Sequence, residues 1–208
     1  MLGSGKVLVT GGDGATTAEL YDPATDTWSP AGDLGHDTSR SAPVRLYSGE
    51  VLLVNGDTQQ VDLYNPDTNT WRQVASIPTD RTNAYSHNTF TATRLYLGSV
   101  LVVGGSSVDL YDPYNDRWTA AAPVGAPFWG HTATPLYSGQ LLSAGGAANP
   151  ETFMTYFQLY EPLSNTWTPL SDMGTSTFGA TSVLLDSGRV MLSGPGVFST
   201  SYSPIFTP

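Results

Sequence analysis

The amino-acid sequence predicts an all-β fold that is assembled from repeats of one small antiparallel sheet. Three features recur together. A Leu-Tyr-x-Pro motif starts at Leu20, Leu63, Leu110 and Leu159, a tryptophan follows the tyrosine of each motif by seven residues, and an apolar run ending in or near glycine precedes each motif. Successive tryptophans of the set lie 43, 47 and 49 residues apart. A fixed offset inside a variable period is typical of a repeated supersecondary unit with loops of different lengths.

The apolar runs predict the second strand of each unit. They are too short for helices, are rich in β-branched residues, and therefore indicate strands that are covered on both faces. The runs occupy residues 7–10, 51–54, 100–103 and 141–144. Two glycines follow three of them; Asn55 replaces the first glycine of the second pair, and Pro195 follows Gly194 in a degenerate fifth copy.

The segment from each tyrosine to its tryptophan predicts a hairpin between the third and fourth strands. Proline presets φ in the turn, and the Asp, Asn and Thr side chains hydrogen-bond their own backbone. A first strand precedes each apolar run, and its exit turn also repeats, as in Tyr47-Ser48-Gly49 and Tyr137-Ser138-Gly139. Each unit is then four antiparallel strands in about 45 residues, the size of one propeller blade.

The double glycine, the tyrosine and the tryptophan in this order resemble the kelch repeat. The resemblance covers nearly the whole chain and is specific because four ordered copies occur, three of them with the intact double glycine. Kelch repeats build β-propellers, so the resemblance implies a kelch-type β-propeller of four-stranded antiparallel blades, as a single domain. The repeat units are expected at about 1–41, 42–89, 90–130, 131–178 and a partial 179–208.

The number of blades is open at this stage. Residues 1–5 align with the end of a first strand, so the chain is expected to begin with a second strand, and the position seven residues after Tyr202 lies past Pro208. The count favours five blades with incomplete first and last blades. One alternative is an open fragment of a six- or seven-bladed propeller, which would expose strand edges and favour oligomers. Another is a four-bladed ring closed by residues 179–185.

Composition limits the classes of partner. The chain of 208 residues has a net charge of −10, and Lys6 is its only lysine, so nucleic acid and anionic membranes are not expected partners. The absence of cysteine excludes disulfides and thiolate ligands. No cofactor is expected and no transmembrane run is visible. The composition is compatible with an extracellular protein but does not assign a compartment.

The candidate ligand-binding residues lie in the loops after the second and fourth strands. In an antiparallel blade these loops emerge on one face, where their lengths and residues differ between units. Aromatic planes and cationic forks suit a carboxylate-bearing or partly apolar ligand. The predicted set is Arg40, Arg81, Tyr85, Phe128, Trp129 and Phe153. The structural alternatives are loop hydrogen bonds for the arginines and packing between blades for Trp129.

The functional prediction is a non-catalytic module that binds a protein segment or a glycan on this face. Asp33, His36 and Asp37 could suggest a metal site, although a solvated loop explains them better, and His131 is expected to be structural. Kelch-type propellers include copper-radical oxidases of the galactose and glyoxal oxidase type. Their cofactor uses a tyrosine cross-linked to a cysteine, so only a fragment of such an enzyme would fit here. The third alternative is a self-assembling structural scaffold.

Overall fold

The computed structural model describes the chain except for residues 13, 15, 57, 80–89, 106, 126–128, 150, 175, 197–198 and 203. The described residues form antiparallel strands and contain no helix. The strands make five sheets in chain order, with a two-stranded hairpin added to the fourth. This all-β arrangement agrees with the fold class that the repeats predict.

The first sheet has three strands and the next two have four. Sheet 1 contains β1 (Val7–Thr10), β2 (Thr17–Asp22) and β3 (Thr27–Asp33). Sheet 2 contains β4 (Ser41–Arg45), β5 (Val51–Asn55), β6 (Val61–Asn65) and β7 (Thr70–Gln73). Sheet 3 contains β8 (Thr91–Arg94), β9 (Val100–Gly104), β10 (Ser107–Asp112) and β11 (Arg117–Ala120).

The fourth sheet carries the insertion and the fifth has a divided outer strand. Sheet 4 contains β12 (Thr132–Pro135), β13 (Leu141–Ala144), β16 (Tyr156–Glu161) and β17 (Thr166–Asp172), with the hairpin β14 (Ala147–Asn149) and β15 (Thr152–Phe153) between β13 and β16. Sheet 5 contains β18 (Thr181–Leu184), β19 (Val190–Gly196) and β20 (Ser199–Tyr202), and β21 (Ile205–Phe206) also pairs with β19.

The pairing of β18 tests the four-bladed alternative. The first sheet begins with a second-type strand, as expected, and the fifth lacks a separate fourth strand among its described residues. Residues 179–185 would have to pair with the first sheet to close a four-bladed ring. Instead, β18 pairs with β19 from Thr181 to Leu184. The four-bladed alternative is therefore wrong, while a closed five-bladed ring and an open fragment both contain the observed five sheets.

The sheets are arranged as blades, with the first strands of sheets 2 to 5 innermost. β4 lies beside β8, β8 beside β12, and β12 beside β18, whereas the outermost strands β3 and β7 contact one another at the rim. Side-chain hydroxyls join the inner strands: Thr134 Oγ1 donates to Ser182 Oγ at 2.6 Å. Neighbouring four-stranded sheets that share an inner line of first strands are the arrangement of a β-propeller.

The hydrophobic core lies between neighbouring sheets because both faces of each sheet are covered. Alternation along the third strand sends side chains to the two sides. In β6, Tyr64 packs toward the first sheet, and Val61 and Leu63 pack toward the third. In β10, Tyr111 packs toward the second sheet, and Val108 packs toward the fourth. The motif tyrosines Tyr64, Tyr111 and Tyr160 therefore face the preceding blade.

A hydrogen bond from an indole repeats at the three junctions between the first four sheets. The indole N–H of each tryptophan in β7, β11 and β17 donates to a backbone carbonyl of the preceding blade. The bonds are Trp71 to Ala31 at 2.7 Å, Trp118 to Ala75 at 2.8 Å and Trp167 to Ala122 at 2.9 Å. Each bond satisfies two polar groups that adjacent blades would otherwise bury.

The residue two before each tryptophan completes the junction. Asp26, Asn69, Asp116 and Asn165 all have positive φ, between 47° and 54°, which Asn and Asp tolerate better than other non-glycine residues. Each accepts the hydroxyl hydrogen of its own motif tyrosine, at 2.8–2.9 Å. Asp116 also accepts the backbone N–H of Ala75 across the junction at 2.8 Å. The Tyr-to-Trp spacing is constant because it builds this contact.

Trp28 shows the motif without an indole hydrogen bond to another sheet among the described residues. Its ring packs on Tyr21 with centroids 5.0 Å apart, as in the other repeats, yet its side chain is 56% exposed. Within the described part of the chain its indole has no carbonyl acceptor in another sheet. Trp28 therefore serves as an internal reference for the tryptophans at the filled junctions.

Replacement of Trp118 by phenylalanine should lower the free energy of unfolding by about 1–2 kcal/mol, because the Ala75 carbonyl loses its donor. The matched Trp28→Phe variant should lose less than about 0.5 kcal/mol, as an exposed site does. Denaturant unfolding of both variants measures the difference. Equal losses would show that the hydrogen bond between blades is not what stabilises the junction.

Candidate functional site

The loops after the second and fourth strands meet on one side of the molecule, which we call the loop face. Leu34, after β3, donates its backbone N–H to Thr16 O, after β1, at 2.8 Å. Ile77, after β7, donates to Gln59 O, after β5, at 3.0 Å. The loops are thus hydrogen-bonded to one another through their backbones. We call such a surface braced, because these bonds restrict the movement of the loops that carry its side chains.

Loops of neighbouring blades also interlock. The Cβ position of Gly11 is 3.1 Å from the carbonyl oxygen of Thr38, which leads into the next blade. At the fourth junction Gly146 donates its N–H to Thr177 O at 2.7 Å. Gly11, Gly145 and Gly146, which follow second strands, are therefore close-approach sites. A side chain there would push the loop of the next blade outward.

A buried polar cluster lies at the loop face between the first two blades. His36 Nε2 is 2.9 Å from Asp62 Oδ2, and both side chains are mostly buried. Asn55 Nδ2 donates to the carbonyl oxygen of Asp37 at 2.8 Å, while its Oδ1 accepts the N–H of Thr58. The asparagine that replaces a glycine of the repeat therefore ties the second blade to the loop of the first.

Asp33, His36 and Asp37, which could suggest a metal site, make other contacts in the structure. Asp33 and Asp37 each accept a backbone N–H two residues onward, at 2.8 Å, and His36 faces Asp62 instead. The N–H of Ser39, then its hydroxyl, and more weakly Arg40 and His36, hold the pKa of Asp37 below its usual value. Within the described residues no group of three His, Asp or Glu could hold a metal ion.

The second cluster surrounds the insertion of the fourth blade. Trp129 and Ala147 exchange backbone hydrogen bonds of 3.0 and 2.9 Å, which attach the β14–β15 hairpin to the segment before β12. The ring of Phe153 meets that of Phe178 edge to face, with centroids 6.0 Å apart. The Phe178 ring lies over Gly130, whose Cβ position is 2.5 Å from it. Three loops are thereby packed into one unit.

The structure brings only some of the predicted residues together. Trp129 and Phe153 share the cluster of the fourth blade. Arg40 is exposed on the loop at the first junction, where its carbonyl accepts the N–H of Gly56 at 3.1 Å. The other three predicted residues, Arg81, Tyr85 and Phe128, lie outside the described residues.

Trp129 has a different environment from the one that a stacking role requires. Its side chain is only 7% exposed, although the surrounding Gly and Pro suggested an open loop. The backbone bridge to Ala147 attaches Trp129 to the inserted hairpin. Packing, the alternative stated for this residue, explains its position, and Phe153 and Phe178 are the more accessible rings of the cluster.

Asp62 and Phe178 are the loop-face residues that the predicted set omitted. Asp62 interrupts the Val-x-Leu-Tyr pattern of a buried third strand, and Asp109 and Gln158 do so at the same place in the next two blades. A polar residue that recurs inside a covered strand needs a polar partner. That signal is visible in the sequence, but it does not name His36 as the partner.

His131 is a buried histidine of the inner strand region. It is 6% exposed, and its Nε2 is 2.8 Å from Thr91 Oγ1 in the third blade. Burial lowers the pKa of His131 from 6.5 to about 3, because the charged imidazolium would lose its hydration. His131 therefore stays neutral near pH 7 and joins two blades.

The comparisons with known proteins agree with the repeat. The chain is 29% identical over 140 residues to Kelch-like protein 35 of Mus musculus, a match covering 62% of this chain and 23% of that protein. It is 27% identical over 165 residues to Kelch-like protein 25 of Xenopus tropicalis, covering 68% of this chain and 27% of that protein. These matches support the assignment of the chain to the kelch-repeat family, which the blades and their Tyr–Trp junctions also indicate.

A further match links these kelch repeats to an oxidase. The chain is 28% identical over 89 residues to galactose oxidase of Gibberella zeae, covering 40% of this chain and 13% of the enzyme. The chain thus spans less than a third of the length of each of these three relatives. No protein-family model matches the chain. The described residues contain no helix that could span a membrane.

Replacement of Gly145 by alanine should strongly destabilise the loop face. Gly145 has φ +68°, and its Cβ would lie 2.6 Å from the carbonyl oxygen of Thr177. The matched control is Gly105→Ala, where φ is +63° and no atom lies within 4 Å of the Cβ position. The control should lose about 1–2 kcal/mol from backbone strain, and Gly145→Ala about 1–3 kcal/mol more from overpacking. Equal unfolding midpoints would contradict the close approach of the loops.

Acid should destabilise the protein through His131. Below pH 6.5 the imidazole of His131 is protonated in the unfolded chain but stays neutral in the folded one. The free energy of unfolding therefore falls as the pH is lowered toward the folded pKa of about 3. The contribution is up to about 1.4 kcal/mol per pH unit. The free energy of unfolding should be measured between pH 7 and 4 for the protein and for His131→Gln. The difference between the two should shrink by up to this amount per pH unit, because only the protein with His131 loses stability through this group. Parallel pH profiles would refute the neutral buried imidazole.

Proposed function

We propose that this kelch chain is a non-catalytic module that binds a protein segment on its loop face. The single observation that carries the proposal is the mutual bracing of the loops on that face, including the inserted hairpin β14–β15. A braced surface loses little conformational entropy when a ligand binds. The opposite face carries short, regular turns that leave less variation for recognition.

The side chains on the loop face suit a ligand with a carboxylate and an apolar group. Arg40 is an exposed residue near Asp37, and we propose that its guanidinium and that of Arg81 contact the ligand. A guanidinium binds carboxylates with two parallel hydrogen bonds. The Phe153–Phe178 pair offers aromatic surface at the fourth blade, and we propose that Tyr85 and Phe128 add to it. Trp129 contributes by holding the hairpin, not by direct contact.

The similarity to Kelch-like proteins supports a protein ligand over a glycan. Matches to proteins of this type extend over 62–68% of the chain, whereas the galactose oxidase match extends over 40%. An extended segment crossing from Arg40 to Phe153 would contact several blades, which agrees with the loop differences between units. The glycan therefore becomes an alternative outcome of the binding experiment.

The oxidase alternative has a specific observation in its favour, the match to galactose oxidase. The resemblance implies a tyrosine–cysteine cross-link, and the 208 residues contain no cysteine. The cysteine would have to come from residues outside this chain. Oxidation of galactose by a longer form of the protein that contains this chain, together with copper in its metal analysis, would establish the alternative.

A peptide library displayed against the immobilised chain should select a segment that depends on the loop face. We expect Arg40→Ala and Arg81→Ala each to weaken the selected peptide by about 10-fold or more, as loss of a charge-assisted hydrogen bond does. Phe153→Ala should weaken it by about 5-fold. Tyr137→Ala, an exposed position on the face opposite the loop face, is the matched control and should change the affinity by less than twofold.

Two results would decide against this proposal. One is a selected peptide whose affinity is unchanged in all three loop-face variants but lost in Tyr137→Ala, which would move binding to the other face. The other is the absence of any selected peptide together with an arginine-dependent signal on a glycan array. That second result would mean that the loop face binds a glycan and not a protein segment.

A further inference from the structure

The face opposite the loop face, which we call the turn face, has a row of exposed tyrosines around the inner strands. Three turns between first and second strands carry one, and each ring lies against the glycine of the next turn. The pairs are Tyr47 with Gly98 at 3.4 Å, Tyr96 with Gly139 at 3.0 Å and Tyr137 with Gly188 at 4.0 Å, measured from the ring to the glycine Cβ position. Ring-on-glycine contacts are a regular structural feature of this face.

The junction of the second and third blades departs from that regularity. Tyr114, in the Asp112–Pro113 turn, is 85% exposed, and its ring comes within 4.0 Å of the Cβ position of Gly98. Gly98 therefore lies between two tyrosine rings. The corresponding turn residues of the other repeats are Ala24, Asp67 and Leu163. A large aromatic ring left in solvent adds little to folding, so packing does not account for Tyr114.

The two rings form the walls of a cleft. Its volume is about 430 Å³, and the lining also includes Leu46, Ser48, Glu50 and Pro113. This volume lies in the range of small-molecule sites. The absence of a side chain at Gly98 leaves the cleft open at its base, because any side chain there would occupy the space beside the Tyr47 ring.

The Tyr47 wall is held in place before any ligand arrives. Its hydroxyl donates to Tyr96 O at 3.1 Å. The guanidinium carbon of Arg94 lies 4.0 Å from the ring centroid, and Arg94 donates to Arg45 O at 2.6 Å. A ring fixed by a hydrogen bond and a cation–π contact loses little freedom on binding.

We propose that this cleft binds a neutral saccharide unit. The C–H face of a sugar ring carries partial positive charge and matches the negative face of a tyrosine ring. Its hydroxyls can donate to the carboxylate of Glu50, which the Ser48 hydroxyl orients through a 3.0 Å hydrogen bond. Two arginines lie beside the cleft, Arg94 on Tyr47 and Arg72 at 4.0 Å from Glu50. Their charge disfavours a cationic ligand.

The proposal adds a second site on the face opposite the loop face and does not depend on the protein ligand proposed above. Nuclear magnetic resonance titration with the methyl glycosides of glucose, galactose, mannose and N-acetylglucosamine, at millimolar concentrations, tests it. At least one glycoside should shift the ring signals of Tyr47 and Tyr114. The Tyr114→Ala variant should bind that glycoside about 10-fold more weakly, because one wall is lost.

The control is Leu163→Ala, which removes an exposed apolar side chain, 72% accessible, from the same turn position one blade later. It should leave glycoside binding unchanged, and Arg40→Ala should do so as well. The proposal is overturned if none of the four glycosides shifts the two rings, or if Tyr114→Ala and Leu163→Ala bind equally well. Because Tyr114 is exposed, the variant should fold, and an unchanged circular dichroism spectrum checks this.

Discussion

The hydrogen bond from a tryptophan indole to the carbonyl of the preceding blade is the contact on which this structure depends. It occurs at three successive junctions, at 2.7–2.9 Å, and each time the tryptophan packs on the motif tyrosine at about 5 Å. Sheets covered on both faces need apolar packing and matched polar groups at their edges. The Tyr–Trp spacing supplies both, so it stays at seven residues while the loops vary.

This contact lies at the rim and leaves the two ends of the blades open to variation. On the loop face, glycine close approaches and backbone hydrogen bonds join neighbouring loops. The longest insertion folds as a hairpin that is bonded through its backbone to the buried Trp129. On the turn face, tyrosine rings lie on glycines. One scaffold thus carries two chemically different surfaces, a braced loop surface with arginine and phenylalanine and a turn surface with tyrosine.

The sequence predicted the strands and the repeated hairpins because their signals are local. Glycine, the Asp-Pro turn and the fixed Tyr–Trp offset act within one unit, and the structure agrees with the kelch blades that they imply. The environments of Trp129 and His36 depend on contacts between units, namely the bridge to Ala147 and the pair with Asp62. No spacing rule along one chain specifies such contacts, so the site was less predictable than the fold.

The most direct measurement of the central claim is hydrogen exchange at the assigned tryptophan indoles. The indole hydrogens of Trp71, Trp118 and Trp167 should exchange slowly with solvent deuterium, since each is bonded to a carbonyl of the neighbouring blade. The indole hydrogen of Trp28, which is 56% exposed, should exchange at close to the rate of an unprotected indole. Fast exchange at all four, or equal protection of Trp28, would contradict the account of how the blades are joined.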